Sequence, residues 1–156
     1  MSNPNFIDHI KIFCKSGKGG GGSSHFRREK FVPKGGPDGG DGGKGGDIIL
    51  KGNSQLWTLL HLRYTKHLKA KGGQDGQGSK KHGKNGEDII IEVPLGTIAK
   101  YESNKKTLEI LEHDEEKVLL EGGIGGLGNF HFKSSTNQSP HYSQPGIESL
   151  EDWISL

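Results

Sequence analysis

The stretch Gly39-Gly40-Asp41-Gly42-Gly43-Lys44-Gly45-Gly46-Asp47 sets two glycines in every three residues. A period of three is that of the polyproline II helix, not of an α-helix or a β-strand. The repeat returns at residues 122–128, and a looser version covers residues 72–86. Such helices have no internal backbone hydrogen bonds, so the tracts predict extended helices that lie side by side and bond to one another.

A flexible linker is the alternative interpretation, since glycine-rich chains are often unstructured. Linkers are rich in serine and indifferent to residue order, whereas these tracts are framed by strand-like segments and carry basic and aromatic residues at set positions. A collagen helix is excluded, because the strict repeat covers barely three turns and contains no proline. We therefore expect ordered glycine-rich arms over about 17–46, 72–86 and 122–128.

Composition allows one domain with one small core outside the tracts. The chain has 156 residues, of which 29% are hydrophobic. Its single cysteine, Cys14, excludes an internal disulfide and fits a reducing compartment. No apolar run is long enough to span a membrane, so we expect a cytoplasmic monomer without a membrane partner.

Short apolar runs between turn residues predict a mainly β fold. We expect the arms to project from a small antiparallel β-barrel or sandwich, with a turn and a short strand at residues 56–64 and a buried strand at residues 88–93. The other predicted strands cover residues 10–14, 47–51, 97–101, 107–112 and 117–121.

Charge is divided unevenly along the chain. Residues 11–84 carry 16 Lys and Arg and 5 acids, a net charge of +11, whereas residues 85–156 have a net charge of −8. The basic half contains the first two glycine tracts, which points to a polyanionic partner for one face.

Residues at the tips of glycine arms are exposed, because such arms bury little. A solvated surface is one interpretation of their charges, and RNA binding is the other: basic residues would contact phosphates, while Phe26, Phe31, Phe130 and His131 would stack on bases. The polar run at residues 133–140 fits either phosphate contacts or ordinary turns. The candidate RNA-binding residues are Lys18, Arg27, Arg28, Lys30, Lys34, Lys44, Lys80, Lys81, His82, Lys84, His131, Lys133 and Asn137.

Catalytic and metal sites are not indicated. Gly78 is followed by Ser79 and Lys80 rather than by Lys and Ser or Thr, so residues 73–80 do not form a P-loop. The histidines lack metal-ligand spacing. We expect no catalytic residue, metal or cofactor in this chain.

These residues, taken in order, resemble the N-terminal domain of the Obg family of ribosome-associated GTPases. The matching segments are residues 15–22, 26–34, 35–46, 57–60, 93–97, 122–129 and 134–138. The resemblance implies a glycine-rich bundle on a β-barrel, followed by a P-loop GTPase domain that binds and hydrolyses GTP with Mg²⁺. It also implies binding to the large ribosomal subunit and its rRNA, and a role in ribosome biogenesis.

The resemblance also suggests domain limits. We expect the Obg-type domain at residues 1–146 and a linker to the GTPase domain, itself a partner, at residues 147–156, where Trp153 looks like the opening of an unfinished strand. The family usually has a second Pro-Gly pair and acids after Pro145-Gly146, whereas this chain has Ile147-Glu148-Ser149-Leu150-Glu151.

An alternative function is a stand-alone glycine-helix bundle with a structural or surface-binding role, such as ice binding. The basic tips favour the ribosomal interpretation.

Overall fold

The computed structural model describes residues 7–26, 36–132 and 142–156, and the chain is mainly β, as predicted. Two 3-10 helices in the described residues span Leu60–Leu62 and Asn129–Phe132. The strands are β1 (Lys11–Lys15), β2 (Ile48–Gly52), β3 (His67–Lys69), β4 (Ile89–Val93), β5 (Thr97–Tyr101), β6 (Thr107–Ile110), β7 (Glu116–Leu120) and β8 (Glu151–Ser155).

The strands form two separate sheets, so the prediction of a closed antiparallel barrel is wrong for the described residues. One sheet has the order β3-β1-β8-β5-β6 and the other the order β4-β2-β7. The pairs β1–β3 and β2–β4 are parallel. A parallel pair needs a long crossover connection, and here glycine-rich segments form part of each crossover.

Both sheets contribute to one hydrophobic core. Ile12 and Ile154 come from the first sheet and Leu50 from the second, and all three side chains are fully buried. Burying such a side chain contributes about 1.5–3 kcal/mol. Cys14 lies in the same core, where burial, assisted by the Asp152 carboxylate, raises the pKa of its thiol to about 12. This thiol therefore serves packing rather than chemistry.

Local predictions differ from the structure at three places. Residues 56–64 contain the 3-10 helix Leu60–Leu62 instead of a strand, because Leu62 turns back into the core. The strand β3, only three residues long, was not predicted. The strand β4 is not buried on both faces, since Ile90 is 51% exposed.

Six extended segments of the described residues form a bundle that adjoins the two sheets. We name them A (residues 16–23), B (38–47), C (70–77), D (80–88), E (121–129) and F (144–150). The first five contain the predicted glycine tracts. Each is continuous with a strand at one end, so the bundle and the two sheets share one framework.

Backbone hydrogen bonds join these segments at every third residue. Two faces of segment A bond to segments B and F, and the N···O distances are 2.8–2.9 Å. Gly17, Gly20 and Ser23 donate to Gly46, Gly43 and Gly40 of segment B, while Ser16, Gly19 and Gly22 donate to Leu150, Ile147 and Gln144 of segment F. The prediction that the tracts bond to one another is confirmed.

The bonding pattern arranges the bundle in three layers. Segments A and B form the middle layer, since each bonds to the other and to both outer pairs. Segment C bonds to D through Gln74 and Lys84, and segment E bonds to F through Leu127 and Gln144. Among the described residues no hydrogen bond joins the C–D pair to the E–F pair. The two pairs therefore lie on opposite sides of the A–B layer.

Glycine is needed in the bundle for space rather than for an unusual φ. Among the described glycines only Gly96, outside the bundle, has a positive φ, 85°. A Cβ placed on Gly43 would overlap the backbone carbonyl of Lys84, and one on Gly42 would overlap that of Gly20. Gly21 differs, because its Cβ would meet only a carboxylate oxygen of Asp75 at 3.6 Å.

Residues 147–156 are bonded into this framework. Ile147 and Leu150 accept hydrogen bonds from segment A. The strand β8, with Trp153, pairs with β1 and β5 inside the five-stranded sheet. The strand expected at Trp153 is present, and the strands that pair with it are distant in sequence.

We predict that Gly43→Ala lowers the free energy of unfolding by about 1–3 kcal/mol, the usual cost of overpacking, because the new methyl group must displace the Lys84 backbone. Urea unfolding followed by circular dichroism measures the change.

The matched control is Gly21→Ala. Its methyl group has room, and the lost freedom of the unfolded chain should leave stability unchanged or raise it by about 0.4–1 kcal/mol. Equal destabilisation by both variants would contradict close packing of the segments.

Candidate nucleic-acid interface

The candidate site lies at the end of the bundle furthest from the sheets, which we call the distal end. Segments A, C and E each leave a strand and segments B, D and F each lead into one, so the ends of A, C and E and the beginnings of B, D and F all lie at this end. The described residues there are 23–26, 36–41, 77–82, 127–132 and 142–144.

A tight turn over residues 78–81 presents the basic side chains of the C–D pair. The Lys81 N–H donates to the Gly78 carbonyl at 3.3 Å, and φ is 61° at Ser79 and 57° at Lys80. Positive φ at both central residues is the type I′ geometry, which costs side chains such as these of order 1–3 kcal/mol each. The turn therefore needs support from its surroundings.

Asp38 supplies that support. One carboxylate oxygen accepts the Ser79 N–H at 2.9 Å, and the other lies 2.6 Å from His25 Nδ1. Burial raises the pKa of the Asp38 carboxyl, but the hydrogen bonds from His25 and Ser79 outweigh it, so the pKa lies below its ordinary value. An ionised Asp38 thus ties the C–D turn to the A–B connection.

Asp41 supports the other side of the distal end. Its carboxylate accepts the Gly128 N–H at 2.8 Å and lies 2.9 Å from His131 Nε2. Its backbone N–H donates to His82 Nδ1 at 3.1 Å, so this ring nitrogen is an acceptor. His82 and His131, both predicted site residues, are therefore brought together around one carboxylate.

Lys80 and Phe130 form a cation–aromatic pair at the same end. The Lys80 Nζ atom lies 4.0 Å from the centre of the Phe130 ring, which is 40% exposed. The His131 ring meets Phe130 edge to face at 5.6 Å. A cation beside an exposed ring is suited to a nucleotide, because it offers a phosphate contact next to a stacking surface.

Lys81 and Lys84 line an open cleft of about 320 Å³ along the C–D pair. Gln74 and Gln77 supply amide groups to the same cleft. Cations and amides set along one groove match a phosphate backbone.

The other described candidates lie elsewhere. The Lys18 Nζ atom lies 3.2 Å from a Glu148 carboxylate oxygen, and Lys44 forms an ion pair and hydrogen bond with Asp47. Burial raises the pKa of the Asp47 carboxyl, but hydrogen bonds from Gly122 and Lys44 outweigh it and lower the pKa. Both lysines sit near the sheet end of the bundle. Arg27, Arg28, Lys30, Lys34, Lys133 and Asn137 fall outside the described residues and stay predictions.

Sequence reasoning missed three supporting residues: Asp38, Asp41 and Asn129. The Asn129 side chain is buried, accepts the Gly39 N–H at 2.8 Å and donates to the His25 carbonyl at 3.0 Å. Asp41 could have been predicted from its position, because an acid inside a Gly-Gly-X repeat can accept hydrogen bonds from a neighbouring tract.

Within residues 7–26, 36–132 and 142–156, no group of side chains could hold a metal ion, and no helix has the length and apolar character of a membrane span.

The sequence matches the GTP1/OBG family model over residues 7–156. This chain belongs to the GTP1/OBG family. Its relatives are named GTPase Obg: that of Cytophaga hutchinsonii is 57% identical over 100% of this chain and 47% of its own length. The protein of Parabacteroides distasonis is 54% identical over 100% of this chain and 41% of its own length. That of Porphyromonas gingivalis is 57% identical over 96% of this chain and 38% of its own length. The GTP1/OBG chain therefore spans less than half the length of these curated relatives.

We predict that Asp38→Ala lowers the free energy of unfolding by about 1–3 kcal/mol at pH 7, because the Ser79 N–H loses its partner. The pKa of Asp38 is lowered in the folded chain, so its contribution is complete above the unfolded pKa of about 4 and is lost as pH falls through the folded value. The difference between wild type and variant should therefore shrink in acid, as measured by urea unfolding between about pH 2 and 7.

Asp75→Ala is the control, because Asp75 is an exposed residue whose carboxylate accepts one N–H, from Gly21. A loss as large as that of Asp38→Ala, or a difference independent of pH, would contradict the supporting role of Asp38.

Proposed function

We propose that this chain is the ribosome-binding N-terminal domain of an Obg-type GTPase, and that its distal end and C–D cleft bind rRNA of the large ribosomal subunit during its biogenesis. One observation carries the proposal: Lys80, Lys81 and Lys84 lie on one outer pair of segments, and the Lys80 cation lies over the exposed Phe130 ring. The predicted residues outside the described part of the chain stay candidates for rRNA contacts: Arg27, Arg28, Lys30, Lys34, Lys133 and Asn137.

Rigidity supports RNA binding at this place. A backbone already fixed in a hydrogen-bonded bundle loses little freedom on binding, which favours affinity. Non-glycine residues kept at strained φ values are common at functional sites, and Lys80 is such a residue. A stand-alone surface-binding role leaves this basic turn without a purpose.

The names of the relatives support a proposal for the activity of the whole protein. They are named as GTPases, and more than half of their length lies outside the match. We infer that the full protein acts in the cytoplasm and that a separate domain binds and hydrolyses GTP with Mg²⁺. The residues of this chain hold the ribosome rather than the nucleotide.

We also infer that segments A–F are polyproline II helices. Hydrogen bonds to a given neighbour recur at every third residue, as a three-fold helix requires.

We predict that Lys81→Gln and Lys84→Gln each weaken binding to purified large ribosomal subunits. Each lost phosphate contact should reduce the slope of log K against log salt by about 0.7–0.9. Filter binding between about 50 and 200 mM salt gives the slope. The thermal midpoint should stay unchanged, because exposed charges contribute little to stability.

Lys106→Gln serves as the control, since Lys106 is exposed but lies on the β5–β6 turn outside the bundle. An equal loss of slope in all three variants would mean that only net charge matters and that the cleft is not the binding site.

A further inference from the structure

The two outer faces of the bundle differ in chemistry. Segments C and D carry four lysines, at positions 71, 80, 81 and 84, and of their three acids Glu87 and Asp88 lie at the sheet end. Segments E and F carry none: residues 121–132 and 142–151 contain three Glu and no Lys or Arg. Since a phosphate backbone needs cations, the E–F face is unsuited to RNA.

The E–F face is also apolar. Its largest side chains are Ile124, Leu127, Ile147 and Leu150, which are 68%, 38%, 61% and 53% exposed. They recur at every third position because the residues between them pack against segments A and B. Four large aliphatic side chains exposed on one rigid surface are typical of a protein interaction site.

Hydrogen bonds place these side chains side by side. The Ile147 N–H donates to the Ile124 carbonyl at 2.9 Å, and the Gln144 N–H donates to the Leu127 carbonyl at 2.9 Å. The aliphatic residues of both segments therefore form one continuous patch, which we call the E–F patch, rather than isolated exposed residues.

Acidic side chains border the E–F patch. Glu148 lies between Ile147 and Leu150 in sequence, and its side chain is 79% exposed. It lies 3.2 Å from Lys18 Nζ, and Glu151 lies 3.9 Å from Lys15 Nζ. Exposed pairs of this kind are weak, so these carboxylates can accept cations from a partner.

We propose that the E–F patch binds a Lys/Arg-rich polypeptide segment with aliphatic side chains. The aliphatic groups would cover Ile124, Leu127, Ile147 and Leu150, while the cations would meet Glu121, Glu148 and Glu151. Apolar anchors would give affinity, and charge complementarity would select a basic segment over an acidic one. The bundle thus has an RNA side and a protein side.

A direct test is an NMR titration of the full 156-residue chain with a 14-residue peptide of alternating Leu and Lys. We expect amide shifts centred on residues 122–128 and 144–150. A peptide of alternating Gly and Lys and one of alternating Leu and Glu should each bind at least about tenfold more weakly, a factor of ten being about 1.4 kcal/mol.

Variants test the assignment. Ile124→Ser with Ile147→Ser should weaken the Leu-Lys peptide about tenfold or more, whereas Ile98→Ser, which changes a half-exposed isoleucine of β5, should not. Glu121→Gln with Glu148→Gln should weaken binding and reduce its salt dependence. These sites are exposed, so thermal midpoints should be unchanged and a lost interaction cannot reflect unfolding.

Several results would overturn the proposal. Shifts spread over the sheets, equal binding of all three peptides, or binding of a uridine 12-mer at residues 122–128 would each do so. If sedimentation shows that the wild-type chain is a dimer and the double Ile variant a monomer, the patch binds a second copy of the chain instead. The titration contains no ribosome, so its failure leaves the proposed rRNA function unaffected.

Discussion

The structure depends on the close approach of glycine backbones. In the bundle the hydrogen-bonded N–H groups of the glycine segments find their partners on other segments, and at most glycines this approach leaves no space for a Cβ, as the overlap of a methyl group on Gly42 with Gly20 demonstrates. Ordering so much glycine costs more entropy than ordering other residues. Intersegment hydrogen bonds and the core between the sheets offset this cost together. The bundle should therefore form only as a unit with its strands.

The close packing of the segments also determines where charged and aliphatic side chains can lie. Because many glycines face other segments, side chains are confined to the positions between them and to the distal end. Those positions carry cations on the C–D pair and aliphatic groups on the E–F pair. Carboxylates of Asp38 and Asp41 at the distal end accept N–H groups that no carbonyl reaches. The tips are thus held by ionised side chains, while the segments are held by backbone bonds.

Local pattern was enough to predict the glycine tracts, their mutual bonding and strands such as β5. It failed where contacts between residues distant in sequence decide the structure. The parallel strands β1 and β3 continue into segments A and C, and the Ala70 N–H donates to the Lys15 carbonyl where these segments begin. Segment F was missed because it contains only one glycine, Gly146. In the site, Lys80 and His82 could be chosen by charge and location. Lys44 could not be distinguished from them, since its pairing with Asp47 is visible only in three dimensions.

Scalar couplings across hydrogen bonds test the close-packed bundle most directly. The account predicts couplings from the Gly43 amide nitrogen to the Gln74 carbonyl carbon, from Gly20 to Gly43 and from Gly42 to Gly126. Each coupled pair joins two different segments, and along each of these interfaces further bonds recur at every third residue. Detection of these three couplings in the labelled chain would establish the bonding pattern. Their absence, with amide exchange at random-coil rates throughout residues 39–46, would contradict it.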